Sequence, residues 1–575
     1  MDQKILEQAK MWGSNSYFSE SDRAEINALL SDPVKNEMEL NERFYRDLEF
    51  GTGGLRAPMG MGQNRMNKYN VRRATQALCQ MIKKNFGSGS AVISYDSRHS
   101  SKDFALEAAG VFAANGIKAH VFHSLAPTPI LSFGVRYLKA QAGIMITASH
   151  NPPIYNGYKA FWNDGAQVVP PVDKEIIEAY NQLTNWNDIK YMPFEEAKTK
   201  GLAFWTDEKV DNAFFEVVET KVIQDTGLCK SHGSELSIVY TALHGSGLVP
   251  CLEILKRLGF SKVHSIEEQA MPDGNFPTVK SPNPEDPKAL KLAVDHMLKT
   301  NADIVYGTDP DCDRLGVVVN AHGKAAFLNG NQIAVLMLYY LFKKKAELKT
   351  LPEKALVVKS IVTSPLQNAI AESFGATVKD TLTGFKWMAG LIRELEEQKS
   401  GYNFVFASEE SFGYMPHAES RDKDGVSSVS LMSEVALYFK LKGKNLIEAL
   451  DDIYSQYGFY YESLLSQDYE GIAGSQKINR IMDFFRNYPE THFAGEKIVA
   501  KEDYEKGINL PKSNVLSFTF ESGNKLFLRP SGTEPKIKFY VMVRETEGNL
   551  EVKKANALKK VDTIESKIKE YTEKA

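Results

Sequence analysis

Three aspartates, Asp309, Asp311 and Asp313, fall within five residues in the run Gly307-Thr308-Asp309-Pro310-Asp311-Cys312-Asp313-Arg314. Carboxylates at that spacing repel one another unless a positive charge sits between them. Pro310 opposes a helix, and in an extended loop residues i, i+2 and i+4 point the same way, so the three side chains are expected to converge on one point. Hard oxygen donors favour Mg²⁺ over a soft metal. A calcium-binding EF-hand loop is excluded, because it needs Gly at its sixth position and Glu at its twelfth, where this chain has Arg314 and Asn320. A solvated acidic turn would carry the same residues, but Ile304-Val305-Tyr306 before the run and Leu315-Gly316-Val317-Val318-Val319 after it read as buried strands.

Ser149 follows another apolar strand and precedes His150-Asn151-Pro152-Pro153, a stiff loop that presents a hydroxyl. Alone it reads better as a serine capping a nearby turn or helix. Beside a cation site it becomes a candidate phosphoryl acceptor and donor, since a hydroxyl attacks phosphorus only when charge is neutralised. No G-x-S-x-G elbow occurs, which disfavours a serine esterase. Arg529-Pro530-Ser531-Gly532-Thr533-Glu534-Pro535 joins a guanidinium, two hydroxyls and a glycine in one loop. Such a turn can bind phosphate through backbone amides and parallel guanidinium bonds, or be an ordinary β-turn. Glu409 and Ser411, two residues apart, can hydrogen-bond vicinal hydroxyls or form an exposed acidic loop.

The elements that must position these groups follow an α/β rhythm. β-branched runs such as Ala91-Val92-Ile93-Ser94-Tyr95 alternate with helical stretches such as residues 104–115. Three strands, at residues 143–147, 303–306 and 403–406, run directly into the loops carrying Ser149, the aspartates and Glu409, the position where α/β proteins bind ligands. The expected fold is three similar α/β domains with mixed, mostly parallel sheets plus a C-terminal α+β domain around a central cleft. The expected spans are 1–205, 206–325, 326–455 and 456–575. The last contains strands at residues 514–520 and 537–543 and an amphipathic helix from about Leu550 to the end.

Composition bounds the partners. The 575 residues are 43% hydrophobic and 25% charged with a net charge of −4, so nothing marks a nucleic-acid or anionic-membrane surface, and small ligands are expected. The four cysteines form no C-x-x-C pair, which suits a reducing cytoplasm. The first residues lack a signal-peptide core, and the longest apolar run, residues 333–342, is too short to span a bilayer and is expected to form a buried helix.

Four motifs in order, Thr147-Ala148-Ser149-His150-Asn151-Pro152, Asp309-Pro310-Asp311-Cys312-Asp313-Arg314, Ser408-Glu409-Glu410-Ser411-Phe412-Gly413 and Arg529-Pro530-Ser531-Gly532-Thr533-Glu534-Pro535, resemble the α-D-phosphohexomutase superfamily. Phe50-Gly51-Thr52-Gly53-Gly54-Leu55-Arg56 resembles the branch of many bacterial phosphoglucomutases and phosphopentomutase relatives. The resemblance implies that Ser149 is the phosphoserine and that Asp309, Asp311 and Asp313 hold Mg²⁺ together with an oxygen of its phosphate. It implies that Arg314 steadies that phosphate, that Glu409 and Ser411 read the sugar, and that Arg529, Ser531, Gly532 and Thr533 grip the phosphate not being transferred. It also points to Lys159, Lys423 and the Thr383-Gly384-Phe385-Lys386 loop, with Arg56, Arg98 and His99 completing the cleft and His150 or Lys423 moving the proton. The family departs at Ser408, where glycine is common, at Pro153 and at Cys312. The implied reaction interconverts glucose 1-phosphate and glucose 6-phosphate through glucose 1,6-bisphosphate. A mannose or pentose phosphate is the alternative within the chemistry, and a non-catalytic phosphosugar binder the alternative outside it.

Overall fold

Nearly every residue of strand Ser90–Tyr95 is buried, as is all of Ala142–Ile146, the burial of a parallel strand covered on both faces. The computed structural model describes residues 2–51, 53–469, 471–531 and 536–574. Packing divides the chain into two units, Met1–Leu328 with Ala389–Ser400 and Gly413–Leu437, and Asn329–Met388 with Gly401–Phe412 and Tyr438–Ala575.

The first unit contains two mixed sheets. One has the order Gly54–Pro58, Tyr155–Trp162, Ala142–Ile146, Ser90–Tyr95, Lys118–Val121, Ala203–Trp205. Tyr155–Trp162 is antiparallel to both neighbours and the remaining pairings are parallel. Helix Lys68–Phe86 starts where the Asn67 side chain accepts from the amides of Tyr69 and Asn70, and stops at Gly87, whose φ of 75° is left-handed. The helix expected at residues 104–115 is Ser101–Ala114.

The second sheet runs Lys324–Leu328, Leu315–Ala321, Ile304–Thr308, Ser237–Thr241, Lys262–Ser265. Ile304–Thr308 and Leu315–Ala321 pair antiparallel with Thr308 opposite Leu315, so the acidic run is the loop of a hairpin between two buried strands. Ahead of both sheets lie helices Gln3–Ser14, Glu20–Leu30 and Glu37–Phe44, which carry an aromatic core of their own. Trp12 stacks on Phe18 at 4.2 Å, and Phe44, Tyr69 and Trp186 pack around them. The sequence reading assigned no element there.

In the second unit, strands Thr377–Thr381, Ala355–Ser360 and Asn403–Glu409 form a parallel sheet. Residues 333–342 lie in helix Gly330–Glu347, buried as expected and opened by a capping box of Asn329 and Gln332. Six antiparallel strands follow in the order Phe459–Asp468, Lys536–Glu545, Lys525–Pro530, Leu516–Phe520, Glu496–Asp503, His492–Phe493, and helix Leu550–Lys574 packs on the first two. A core of Ile361, Val362, Leu382, Phe527, Tyr540 and Met542 ties the loops of the parallel sheet to the antiparallel one. The fold is therefore three mixed α/β layers with an antiparallel α+β domain at the C-terminal end of the chain. Among the described residues no helix is long and apolar enough to cross a membrane, and all four cysteines are free and buried.

Candidate active site

The chain leaves strand Ala142–Ile146 through Thr147, whose hydroxyl donates to Asp96 at 2.6 Å and accepts from the Ser149 amide at 2.8 Å. Those two bonds hold Ser149 at φ 51°, a left-handed conformation unfavourable for a residue with a Cβ. Arg98 fixes the rest of the loop. Its guanidinium donates to the carbonyls of Ser149 at 2.6 Å, Asn151 at 2.5 Å, Pro152 at 2.9 Å and Tyr155 at 3.0 Å, and lies over the Phe276 ring. Asp96, which accepts from Arg98 N and Ser101 Oγ, completes this buried scaffold.

The aspartate loop is not the extended segment that the spacing suggested. The Cys312 amide donates to the Asp309 carbonyl at 2.8 Å and Cys312 has φ 51°, so a tight turn, not simple alternation, brings the carboxylates together. Asp309 is fully buried. One of its oxygens accepts from the amides of Asp313 and Arg314 at 3.1 and 3.0 Å, and the other from Ser149 Oγ at 2.7 Å. Asp311 Oδ2 takes Lys159 Nζ at 2.6 Å and Thr128 Oγ1 at 3.1 Å. Asp313 Oδ2 takes Lys159 and Lys423, each at 3.2 Å.

Ligand atoms of the three aspartates lie within 4.8 Å of one another. Asp311 Oδ1 and Asp313 Oδ1 are buried and have no hydrogen-bond partner. Buried carboxylate oxygens left unpaired are costly, and an oxygen-loving cation between them satisfies both. The donor set therefore fits a metal ion.

Electrostatics agree. Burial and repulsion from Asp311 and Asp313 push the Asp309 carboxyl well above its usual range. For Asp311, burial acts in the same direction but is outweighed by Lys159, which holds it below that range. Lys159 is raised in return, its two carboxylates overcoming burial. Burial, Arg314 and Arg56 hold the His150 imidazole well below its ordinary value, with Nδ1 3.1 Å from Ser149 Oγ. Arg314 pairs with Glu285, and Arg56 donates to Asn151 Oδ1 at 3.1 Å.

Two further residues of the expected cleft make local contacts. Arg98, expected in the cleft, turns both its terminal NH groups to the loop carbonyls, which gives it a positioning contact to the serine loop, and its Nε has no hydrogen-bond partner among the described residues. His99, expected beside it, has its Nε2 2.8 Å from Asn275 Oδ1. Gly274 allows that approach, since a Cβ there would lie 2.6 Å from the His99 amide.

In the second unit, Glu409 ends strand Asn403–Glu409 and accepts from the amide of Gly384, whose φ of 113° suits glycine. Thr383, Gly384 and Lys386 follow strand Thr377–Thr381, which lies on the far side of Ala355–Ser360 in the same sheet. Burial and Glu409 push the Glu410 carboxyl up to about 7, where it accepts from Ser360 Oγ at 3.1 Å. Arg529 stands opposite Lys538 across the ladder, and Ser531 N donates to the Lys536 carbonyl at 2.7 Å. Like charges facing one another are destabilising, and an anion relieves them. Gly532 and Thr533 lie outside the described residues. Ser411 follows Glu410 in the same loop.

Asp96, Thr128, Glu285 and Lys538 stand beside candidate residues and were not singled out from the sequence. Only Asp96 left a signal, standing directly after a buried strand in Tyr95-Asp96-Ser97-Arg98.

Three family models match the chain. They are phosphoglucomutase/phosphomannomutase alpha/beta/alpha domain I at residues 47–186, domain II at 213–323 and domain III at 329–457. A phosphoglucomutase of Staphylococcus haemolyticus is 38% identical over 512 residues, covering 87% of this chain and 90% of the relative. One of Staphylococcus aureus is 36% identical over 537 residues, covering 91% and 94%. The open form of the phosphoglucomutase pp63/parafusin from Paramecium shares the fold with a TM-score of 0.70 at 20% identity, over 92% of this chain and 96% of that one.

Proposed function

Because the chain belongs to the phosphoglucomutase/phosphomannomutase family, we propose that it is an intramolecular phosphotransferase interconverting glucose 1-phosphate and glucose 6-phosphate. The observation that carries the reading is Ser149 Oγ, held 2.7 Å from Asp309 at the edge of three buried aspartates.

The Ser149 Oγ–P bond of the phosphorylated enzyme breaks as a bond forms from phosphorus to a sugar hydroxyl oxygen, and the hydroxyl proton passes to a base. The resulting glucose 1,6-bisphosphate turns end for end and returns its other phosphate to Ser149. Asp309, Asp311 and Asp313 would hold Mg²⁺, which when bound supplies charge neutralisation at the serine phosphate. Lys159 and Lys423 bring ammonium groups to the same edge, and Arg314 stands next to the loop. Among the proton-transfer candidates His150 already faces Ser149 Oγ.

The reading assigns sugar recognition to Glu409, Ser411, Thr383, Gly384 and Lys386, and grip of the second phosphate to Arg529, Ser531, Gly532 and Thr533, with Lys538 added. Arg56 is assigned to substrate from the first unit. Domain limits near 205, 325 and 455 are part of the proposal. So is a cytoplasmic location, which four buried free thiols suit.

The test is a coupled assay with Mg²⁺ and trace glucose 1,6-bisphosphate, offering glucose 1-phosphate, mannose 1-phosphate and ribose 1-phosphate in parallel. The highest kcat/KM is expected with glucose 1-phosphate. A mannose or ribose preference keeps the chemistry and moves the substrate, and no turnover with any of the three overturns the proposal.

A further inference from the structure

A cavity of about 610 Å³ lies wholly within the first unit, bounded by residues 122–127, by helices Lys209–Val217 and Leu248–Arg257, and by the turn at 245–246. That volume suits a small organic ligand. None of the residues assigned above to phosphoryl transfer lines it. Its walls are mainly apolar, with Phe122, Leu125, Ile130 and Leu248 among them.

The charge in the cavity is unbalanced. Asp211 has no hydrogen bond or close ion pair among the described residues. Burial pushes its carboxyl up, and Glu208 and Asp207 add repulsion against a single opposing group, His123. The lining guanidinium, Arg257, is already engaged, by Glu253 at 2.8 Å, by Asn212 at 2.6 Å and by the Phe215 ring at 4.7 Å. Glu253 is paired with Arg257 and the nearby Asp207 with Lys209, so what remains is an apolar wall beside Glu208 and Asp211, which have no ion-pair partner among the described residues and are complementary to an apolar body bearing a protonated nitrogen.

The floor of the cavity also reaches the aspartate loop from behind. Ser246 N and Ser246 Oγ both donate to the Pro310 carbonyl at 2.8 Å. Residues 126–127 lead into Thr128, whose amide and hydroxyl donate to Asp311 O at 2.9 Å and Asp311 Oδ2 at 3.1 Å. A Cβ at Gly245 would lie 2.4 Å from Pro310 Cα, so these segments have no slack between them. Anything that moves the cavity floor moves Asp311.

We propose that this cavity binds a small amphipathic amine, and that its occupancy is linked to cation binding at the aspartate loop. Linkage is reciprocal, so each ligand changes the affinity of the other by the same factor.

The test uses the full chain, with 2-phenylethylamine as probe and 2-phenylethanol and phenylacetate as controls, each titrated by calorimetry. Saturable amine binding is expected, about threefold or more tighter than the alcohol, with phenylacetate weakest. Asp211→Asn is expected to remove the preference for the amine. Val249→Arg, at a lining position 75% exposed and so tolerant of substitution, is expected to block the amine and the alcohol together. Mg²⁺ affinity is expected to change by about fivefold or more when the amine is saturating, matched by an equal change in amine affinity when Mg²⁺ is saturating. No saturable amine binding, binding indifferent to both substitutions, or Mg²⁺ affinity identical with and without the amine would each overturn the proposal.

Discussion

The Ser149 and aspartate loops of the first unit and the Glu409 and Arg529 loops of the second are built on opposite plans. In the first, a dense net of protein hydrogen bonds fixes the loops and leaves one oxygen each of Asp311 and Asp313 for a cation: Arg98 holds four carbonyls, Asp309 holds two amides and a hydroxyl, and Lys159 bridges two carboxylates. In the second, Arg529 and Lys538 face one another with like charge, and Glu410 sits near its titration point. Stabilising a transferring phosphoryl group demands groups fixed in advance, because reorganisation during the reaction would cancel the gain. On the proposed assignment of sugar recognition to the second unit, facing like charges and a carboxyl raised to about 7 are features that an anionic or hydroxyl-bearing ligand would change on binding.

The largest expected effect breaks the first plan at its reacting atom. Ser149→Ala is expected to lower kcat/KM by at least about 10⁴-fold while Mg²⁺ binding, followed by titration, stays within a few-fold of wild type. Residual turnover near the wild-type rate would remove Ser149 from the chemistry. Arg98→Lys is expected next, at about 10²-fold in kcat with KM little changed and a lowered Tm, because an ammonium cannot hold four carbonyls and the serine loop shifts. If KM rises and kcat is kept, Arg98 contacts substrate and the positioning role is wrong.

The second plan should break differently. Glu409→Gln is expected to raise KM about tenfold and leave kcat within a few-fold, measured with glucose 1-phosphate. A pure kcat loss would mean that this loop too is part of the fixed machinery. The smallest effect concerns pH. Burial pushes Glu462, which accepts from Ser364 Oγ, up to about 7 from 4.5. A carboxyl raised by folding favours the fold fully below its unfolded pKa, and that support is lost as pH rises through the folded value. Stability of the second unit should therefore fall between about pH 5 and pH 8. Glu462→Gln should shrink the Tm difference between pH 5.5 and pH 8 by about 2–5 °C, and an unchanged difference would show that Glu462 does not titrate in this range.

Much of this division was legible in the residues. The strands around the aspartates, the buried helix over residues 333–342 and the C-terminal strands all announced themselves through runs of apolar side chains, which is a local signal. The three helices Gln3–Ser14, Glu20–Leu30 and Glu37–Phe44 did not, because their core is completed by Tyr69 and Trp186, far along the chain. The site divides in the same way. Ser149 and the aspartates were readable because each sits in a short motif, whereas Thr128 and Glu285 act on groups 183 and 29 residues away and have no motif of their own.

The sequence by itself determined which groups are candidates for the proposed chemistry, since a hydroxyl in a stiff loop and three carboxylates in five residues supply those chemical types whatever surrounds them. Only the tertiary structure decided how they are held. The turn at Cys312, and not alternation along an extended loop, converges the aspartates. Arg98 serves the serine loop through carbonyls up to 57 residues away. Two unpaired carboxylate oxygens mark where a cation belongs. Each of these depends on which backbone atoms long-range packing brings within hydrogen-bond distance, and no spacing within a motif encodes that.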